Sequence, residues 1–483
     1  GIGSLPIMYY GNEEQKQKYL PNLSAGEWLG AYALTEPGAG SDANSGTTKA
    51  VLSEDGKHWI LNGQKMWITN AAFADVFTVF AKIDNDRILS AFIIEKDYEG
   101  FQLGAEENKM GIRGSSTRQL FFNDCKVPVG NLLGKRGEGF RIALNILNLG
   151  RIKLGANVIG ASKTGIDFSV QYANERKQFR SLISSFAAIK YKLAEQVVKA
   201  FANESDVYRI SSDIENAVEM YINDGKEKGV ANVDAQRDFA IEAALIKVYG
   251  SEMLDYVVDE GVQIHGGMGY SAETEIERMY RDSRINRIFE GTNEINRMVV
   301  SDTLIKKGMK KQIALLPAIE EVMKEYKNLP EKPEFVADFT ERNREYVKNF
   351  KKATMLMSKF AMDKLGRNLS KNEVVLFNLA DMMMHTHVVE STQLRIEKME
   401  KILNVDNIEI YQDILDVLMY ESGQIIKKAA NDQLLALANE DEKAEFMKAV
   451  DYYTTVKHFN IVDARMRIAD KLIEDNKWTF STY

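Results

Sequence analysis

Cysteine is nearly missing from this chain: Cys125 is the only one in 483 residues. A lone thiol cannot close an intrachain disulfide or build a cysteine-based zinc cluster, which points to a reducing compartment. Proline is almost as scarce, with seven in the whole sequence, so long stretches are free to be helical. Apolar runs such as Ile88 to Ile94 fall far short of the roughly 18 to 20 residues that span a bilayer as a helix. An excess of positive charge is lacking too. Lys plus Arg number 62 against 70 for Asp plus Glu, a net charge of −8, so no global field favours nucleic acid, and a DNA-associated role is disfavoured. What is present, 45% hydrophobic and 27% charged residues, is the composition of a folded globular chain. Its length suggests about three domains at roughly 150 residues each. Gly1 to Tyr10 carries neither a basic n-region nor a small-residue cleavage site, so the start reads as an interior cut from which any targeting segment has been lost.

Periodicity divides the chain. From about Leu29 to Pro128 apolar residues recur every second position, as in Val76 to Phe80, Leu89 to Ile94 and Gln119 to Phe122, which predicts a β domain. Asp55-Gly56, Asn62-Gly63 and Asn85-Asp86 read as turns between its strands. Before it, Asn12 followed by Glu13, Glu14 and Gln15 reads as an N-cap with an acidic first turn, leading a short helix through Lys16 to Leu20. After it, a helical pattern runs from about Glu138 to Lys307. Leu329-Pro330-Glu331-Lys332-Pro333 then marks a linker before a second helical block ending near Asn476. The order is α, β, α, α, without internal repeats.

Three segments can carry chemistry. Leu34-Thr35-Glu36-Pro37-Gly38-Ala39-Gly40-Ser41-Asp42 offers glycine backbone and two hydroxyls to a phosphate or a flavin edge. It also reads as a strand followed by a Pro-Gly turn, and it lacks the P-loop and dinucleotide fingerprints. In Gly63-Gln64-Lys65-Met66-Trp67-Ile68-Thr69-Asn70, Trp67 and Thr69 stand two apart on a strand and face one way, so the indole can stack on a ring while the hydroxyl bonds it. The alternative is that Trp67 is core. In Arg287-Ile288-Phe289-Glu290-Gly291-Thr292-Asn293-Glu294-Ile295, a carboxylate precedes a helix that begins near Thr292. Apolar Ile288 and Phe289 would raise the pKa of Glu290 and the helix dipole would oppose them; such a carboxylate is either a base for a carbon-bound proton or a helix-terminal charge.

Together these segments resemble the acyl-CoA dehydrogenase family over about residues 1 to 305. Further matching stretches are Asn12 to Pro21, Lys109-Met110-Gly111-Ile112-Arg113, Arg176-Lys177-Gln178-Phe179, Gln263-Ile264-His265-Gly266-Gly267-Met268-Gly269-Tyr270 and Arg281-Asp282. Asn145 to Arg151 and the extension after residue 330 look most like the very-long-chain branch. The resemblance implies an α+β, mostly helical fold with a central β-barrel domain, a four-helix-bundle domain and an extra C-terminal helical domain. The expected divisions are a remnant of an N-terminal helical domain at 1–28, the middle β domain at 29–136, a flavin-binding and catalytic helical domain at 137–308, a linker region at 309–333 and the C-terminal extension at 334–483.

The family's cofactor is flavin adenine dinucleotide (FAD), lying between the β domain and the helices after it. By matching position, Tyr32, Leu34, Thr35, Gly40 and Ser41 are expected at the flavin or its pyrophosphate, with Trp67, Ile68 and Thr69 at the isoalloxazine. Arg176, Gln178 and Phe179, with Gln263, Gly266 and Gly267, are expected at the adenine half from a neighbouring subunit, which implies at least a dimer. Thr292 and Glu294 match two further flavin positions, although Glu294 stands where some relatives carry Gln. Glu290 is expected to be the catalytic base, its backbone N–H and a ribityl hydroxyl polarising the thioester while the β-hydride passes to flavin N5 and leaves a trans-2-enoyl-CoA. A few relatives carry their Glu at the position of Gly150 here, which leaves Glu290 as the family's candidate. Arg151, Ser41 and Gly291 are expected at the substrate; a surface ion pair is the alternative for Arg151.

The implied partners are an acyl-CoA, a long-chain one by the subclass resemblance, and electron-transfer flavoprotein, in fatty acid β-oxidation. An acyl-CoA oxidase and a non-catalytic flavoprotein assembly factor are rival readings on the same fold. His265 reads as a packing or hydrogen-bonding residue, and His385 and His387, two apart on a helix, make a poor metal pair; no metal is expected. Lys306, Lys307, Lys310 and Lys311, on an amphipathic segment continuing into Ile313, Leu315 and Leu316, are either a solvated face or a contact with an acidic membrane surface. The expected location is a bacterial cytoplasm or a mitochondrial matrix.

Overall fold

A computed structural model describes residues 1–403 and 407–480. The chain divides into two compact units, Gly1–Arg151 with Ile214–Phe239, and Ile152–Asp213 with Ala240–Tyr483. Helices α3 (Gly139–Glu175) and α4 (Ala187–Asn223) contribute to both.

The first unit opens with α1 (Leu5–Tyr10) and α2 (Glu13–Ala25). Asn12 caps α2 as expected: its side chain accepts from Gln15 N at 2.8 Å, and Gln15 Oε1 accepts from Asn12 N at 3.1 Å. The helix does not stop at Leu20 but continues through Pro21. Tertiary anchoring overrides the proline here, because Tyr19 is fully buried, donates to Glu95 at 2.8 Å and accepts from Asn131 at 3.0 Å.

The sheet comprises β1 (Gly30–Ala33), β2 (Lys49–Leu52), β3 (His58–Thr69), β4 (Val76–Ile83), β5 (Ser90–Glu95), β6 (Phe101–Glu106), β7 (Thr117–Pro128) and β8 (Leu132–Leu133). Its strand order is β6-β7-β3-β2-β4-β5-β8, with β1 added on β4. Among the described residues β6 and β8 do not pair, so the domain is an open sheet rather than the closed barrel expected. Asn62-Gly63 is not a turn either. It lies inside β3 at a register shift, where a Cβ on Gly63 would come within 2.7 Å of Thr48 Oγ1, so glycine serves close approach of a neighbouring strand. The unit is completed by α5 (Lys228–Asp238).

β1 pairs with β4 through Val76–Val79 and β2 with β4 through Lys82 and Ile83. The chain between them, Leu34 to Thr48, must therefore leave the sheet and return to the same strand. What fixes this excursion is a buried ion pair, Glu36 with Lys65 at 2.6 Å, their side chains 4% and 0% exposed. Lys65 also donates to Leu34 O at 3.1 Å, and Glu36 accepts from Thr47 N at 2.6 Å and Thr48 N at 3.2 Å. Burial alone would raise the Glu36 pKa, yet the Lys65 charge and these hydrogen bonds hold it at about 2. Burial lowers Lys65 to about 8 against the pull of Glu36, so both groups are charged at neutral pH.

The second unit holds a two-strand hairpin, β9 (Lys177–Gln178) and β10 (Ser181–Leu182), then α6 (Ala240–His265), α7 (Glu275–Ser283) and α8 (Asn293–Met309). Helices α9 (Leu315–Glu325), α10 (Phe339–Leu365), α11 (Glu373–Lys398), α12 (Ile408–Leu437), α13 (Glu440–Thr454) and α14 (Ile461–Asp475) follow. A single apolar core includes Phe201 and Val248 together with Phe350, Leu379, Ile414 and Ile468, so the C-terminal block packs on the preceding helices rather than hanging from a linker. The region expected as linker contains α9, whose Ile319 and Val322 are buried. The lysine patch is not one amphipathic helix. Lys306 and Lys307 end α8, Lys310 caps it, and Lys311 is left-handed with φ 57° before α9 begins. No described helix is long and apolar enough to cross a membrane.

Arg465 of α14 stitches this unit together. It donates to Glu195 of α4 at 2.6 Å and to Glu421 of α12 at 2.5 Å, while Lys199 reaches the same two carboxylates at 3.0 and 3.2 Å.

Removing one member of a buried, hydrogen-bonded ion group strands its partners, so Arg465→Met and Glu36→Gln are each expected to lower unfolding free energy by roughly 3 kcal/mol in urea titrations. The Glu36 carboxyl moves from 4.5 to about 2 on folding. Its contribution is therefore complete above the unfolded value and disappears as pH falls toward the folded one. Acid titration of stability should show this loss in the wild type and a shallower slope in Glu36→Gln.

Candidate active site

In the first unit the Glu36–Lys65 pair anchors the loop that follows β1. Pro37-Gly38 forms a tight turn closed by reciprocal bonds between Glu36 and Ala39, at 3.1 and 3.0 Å. The Pro-Gly turn reading is thus correct for the backbone, and the loop is nonetheless open: Gly40 and Ser41 are exposed, and a Cβ on Gly38 or Gly40 would meet no described atom within 4 Å. Met66 N donates to Thr35 O at 3.0 Å, joining this loop to the Trp67 segment.

Trp67 is not a core residue. A register shift between Lys65 and Ile68 places it at φ 60°, and its indole is 54% exposed. A left-handed backbone costs a tryptophan on the order of 1 kcal/mol, and the bulge turns the ring outward in exchange. Thr69 is exposed as well, whereas Ile68 is 2% exposed, so only its backbone is available. Leu34 likewise sits in the core with Val76 and Phe80. Tyr32 is half-buried, tilted against Phe80 at 5.1 Å, and donates to Ala143 O at 3.4 Å. Arg151 is 4% exposed and donates to Asn148 at 3.1 Å, which removes the surface-pair alternative.

In the second unit Phe179 and Arg180 form the two-residue tip of the β9–β10 hairpin, with φ of 49° and 66°. These are positions where Asn-Gly is preferred, and the strain leaves the Phe179 ring 90% exposed. Arg176 and Gln178 are exposed beside it. Gln263, Gly266 and Gly267 are exposed at the end of α6, Gly266 at φ 60°. His265 stacks on Tyr172 at 4.2 Å with Nδ1 2.7 Å from Gly261 O, and burial lowers its pKa, so it packs as a neutral ring. His385 faces Tyr249 at 6.0 Å, while His387 Nδ1 lies 2.7 Å from Asp206; the two imidazoles address different neighbours.

Glu290 and Gly291 are consecutive left-handed residues, φ 57° and 81°. Thr292 then caps α8, accepting from Ile295 N at 3.3 Å, and Glu294 lies exposed in the first turn with its pKa lowered by its own backbone N–H and Thr292. Ile288 and Phe289 are 48% and 40% exposed and form no apolar cover of their own. The residues that hold this loop were not visible as motifs. Asn296, fully buried, donates its amide to Gly291 O at 2.7 Å, Thr292 O at 3.0 Å and Glu290 O at 3.4 Å. Lys247, also fully buried, donates to Gly291 O at 2.8 Å and to Asn293 Oδ1 at 2.7 Å. A charged residue inside the apolar run Ala243 to Val248 was the available signal. The arrangement presents a carboxylate on a rigid, strained turn at a helix N-terminus, geometry suited to a positioned base.

Residues 31–125 match the model for the acyl-CoA dehydrogenase middle domain, and residues 137–305 and 349–451 match models for acyl-CoA dehydrogenase C-terminal domains. A Bacillus subtilis (strain 168) protein named "Probable acyl-CoA dehydrogenase" is 43% identical over 480 residues, 99% of this chain and 80% of that one. The very long-chain specific acyl-CoA dehydrogenase of Rattus norvegicus mitochondria is 41% identical over 309 residues, 62% of this chain and 44% of the rat protein. An acyl-CoA dehydrogenase from Bacillus anthracis, solved in complex with FAD, superposes with a TM-score of 0.96 at 45% identity, covering 99% of this chain and 81% of its own. On its sequence, its matched domains and its fold alike, this chain belongs to the acyl-CoA dehydrogenase family.

Proposed function

We propose that the protein removes the α-proton and β-hydride of a long-chain acyl-CoA, giving a trans-2-enoyl-CoA in fatty acid β-oxidation. Glu290 is the base in this reading. The observation that carries it is the grip on three successive carbonyls, 290 to 292, by the buried side chains of Asn296 and Lys247. A base must stand within hydrogen-bond reach of one particular carbon-bound proton, and a left-handed glutamate locked from beneath keeps its direction without help from substrate. The same turn directs backbone N–H groups at the start of α8, where charge on a thioester oxygen is favoured.

The residues present fit FAD. An indole 54% exposed on a strained bulge, joined by a hydrogen bond to an open glycine loop, suits the face and edge of a tricyclic ring. A phenylalanine 90% exposed at a two-residue hairpin tip, near-solvent Arg176 and Gln178, and the open Gly266-Gly267 backbone suit an adenine and its phosphates. FAD supplies the acceptor for the β-hydride when bound. In this proposal Tyr32, Thr35, Gly40, Ser41, Trp67 and Thr69 hold it by side chain or backbone, Leu34 and Ile68 by backbone alone, and Thr292 and Glu294 are further proposed contacts. The hairpin and the Gln263–Gly267 segment belong to the adenine of a second copy, so the working form is a homodimer. Ser41, Arg151 and Gly291 serve the substrate. Electron-transfer flavoprotein takes the electrons onward, and likeness to the rat very long-chain enzyme supports the chain-length choice.

Anaerobic addition of a long-chain acyl-CoA to the purified holoprotein is expected to bleach its flavin absorbance. Glu290→Gln should bind FAD normally and bleach at least roughly 10³-fold more slowly. Absence of bleaching with short, medium and long acyl chains would reject the dehydrogenase reading; rapid peroxide release in air would move it to an oxidase.

A further inference from the structure

Beneath Glu290 the clamp does not end at Lys247. Asn293 Oδ1 accepts from Lys247 Nζ at 2.7 Å, and Asn293 Nδ2 donates to Glu252 Oε1 at 2.9 Å and to Ser251 Oγ at 3.0 Å. Glu252 is gripped from the other side by both arms of Arg297, at 2.7 and 2.9 Å. The remaining edge of that guanidinium, Nε, donates to Asp381 of α11 at 2.7 Å. Five side chains thus run from the C-terminal block to the carbonyl adjoining Glu290, each step within 2.9 Å.

The direction of every bond in this chain is fixed by chemistry. Lysine and arginine only donate and ionised carboxylates only accept, so Asn293 must turn its oxygen to Lys247 and its nitrogen to Glu252. A flipped amide would set donor against donor and acceptor against acceptor at once. Arg297 is likewise constrained: its planar fork can satisfy Glu252 with two arms and Asp381 with the third edge only in one orientation. Removing Asp381 leaves Nε without its acceptor and lets the guanidinium tilt about its two bonds to Glu252, which loosens Glu252, then Asn293, then Lys247.

We propose that Asp381 is a positioning residue for Glu290, acting through Arg297, Glu252, Asn293 and Lys247 on the carbonyl of Gly291, so that the C-terminal helical block is a part of the catalytic apparatus. This rests on Glu290 being the base. The role is mechanical: Asp381 keeps the carboxylate aimed and takes no part in proton transfer. It also gives the extension beyond residue 330 a function in the reaction itself.

The test compares wild-type holoprotein with Asp381→Asn, Asp381→Glu and a control, Arg467→Gln, which breaks an exposed ion pair with Asp413 elsewhere in the same block. Asp381→Asn is expected to lower kcat roughly 10-fold, as a small misplacement of a base does, with KM and flavin content near wild type. Hydrogen–deuterium exchange at the amides of residues 290 to 293 should accelerate roughly fivefold. Asp381→Glu should recover part of both effects, and Arg467→Gln should show neither. Unchanged kcat and unchanged exchange in Asp381→Asn would overturn the proposal, as would an equal response in Arg467→Gln. Should the wild type fail to bleach its flavin, the dehydrogenase reading falls, and the exchange measurement still decides whether Asp381 orders the 290–293 turn.

Discussion

A glutamate with a left-handed backbone does not hold itself in place. The conformation costs an L-residue on the order of 1–2 kcal/mol, which its surroundings must offset. At Glu290 the support comes from below, where one buried asparagine contacts three carbonyls in a row and one buried lysine takes the middle carbonyl as well. A strained residue persists only where its surroundings over-determine it. Here the surroundings are interior side chains of α6 and α8, so the aim of the carboxylate is a property of the helical core.

The first unit solves a related problem by similar means. Lys65 is buried, as Lys247 is, and each sends its ammonium to the backbone carbonyl of a loop: Lys65 to Leu34 and Lys247 to Gly291. For Lys65 a well-packed hydrophobic residue could serve stability equally, since a buried ion pair is weak evidence for stability as such. What it would not do is specify where the loop carbonyl lies. Both lysines therefore read as devices for positional precision, placed under the two stretches of chain proposed to present chemistry: the glycine loop with Trp67, and the turn with Glu290.

This division explains what the sequence made legible. The residues proposed to meet ligand stand out because they break ordinary patterns: Pro-Gly-Ala-Gly-Ser, Trp67 in a strand, Phe-Glu-Gly-Thr at a helix start. Strands β4 and β5 were equally plain from their apolar runs. The supporting residues hid because a polar residue in an amphipathic pattern is normally read as outward. Parity would have exposed Lys65, which shares the inward positions of β3 with Trp59 and Leu61, and the all-apolar neighbours of Lys247 on α6 are the same signal at helical period. Other readings failed for lack of long-range information. Asn62-Gly63 looks like a turn until Thr48 is seen against Gly63, and Leu20-Pro21 looks like a helix end until Tyr19 is seen anchored to Glu95 and Asn131.

The stretch after α8 carries the same lesson further. Its prolines and charges suggest a tether, yet a Cβ at Gly308 would stand 2.7 Å from Leu315 Cδ2, so the end of α8 packs closely against the start of α9. Beyond it, α10 to α14 bury their apolar faces in the core that also contains α4 and α6. A block packed in this way cannot be removed to learn what it does, because truncation would expose that core and confound loss of folding with loss of function. Helix α8 has the 290–292 turn at one end and the approach to α9 at the other, and Arg297 on its second turn reaches α11. A shift of α11 must therefore either move the start of α8 or break the Arg297 fork. Point substitution of the polar contacts, which leaves the apolar packing intact, is accordingly the perturbation that separates support of the fold from support of the proposed base.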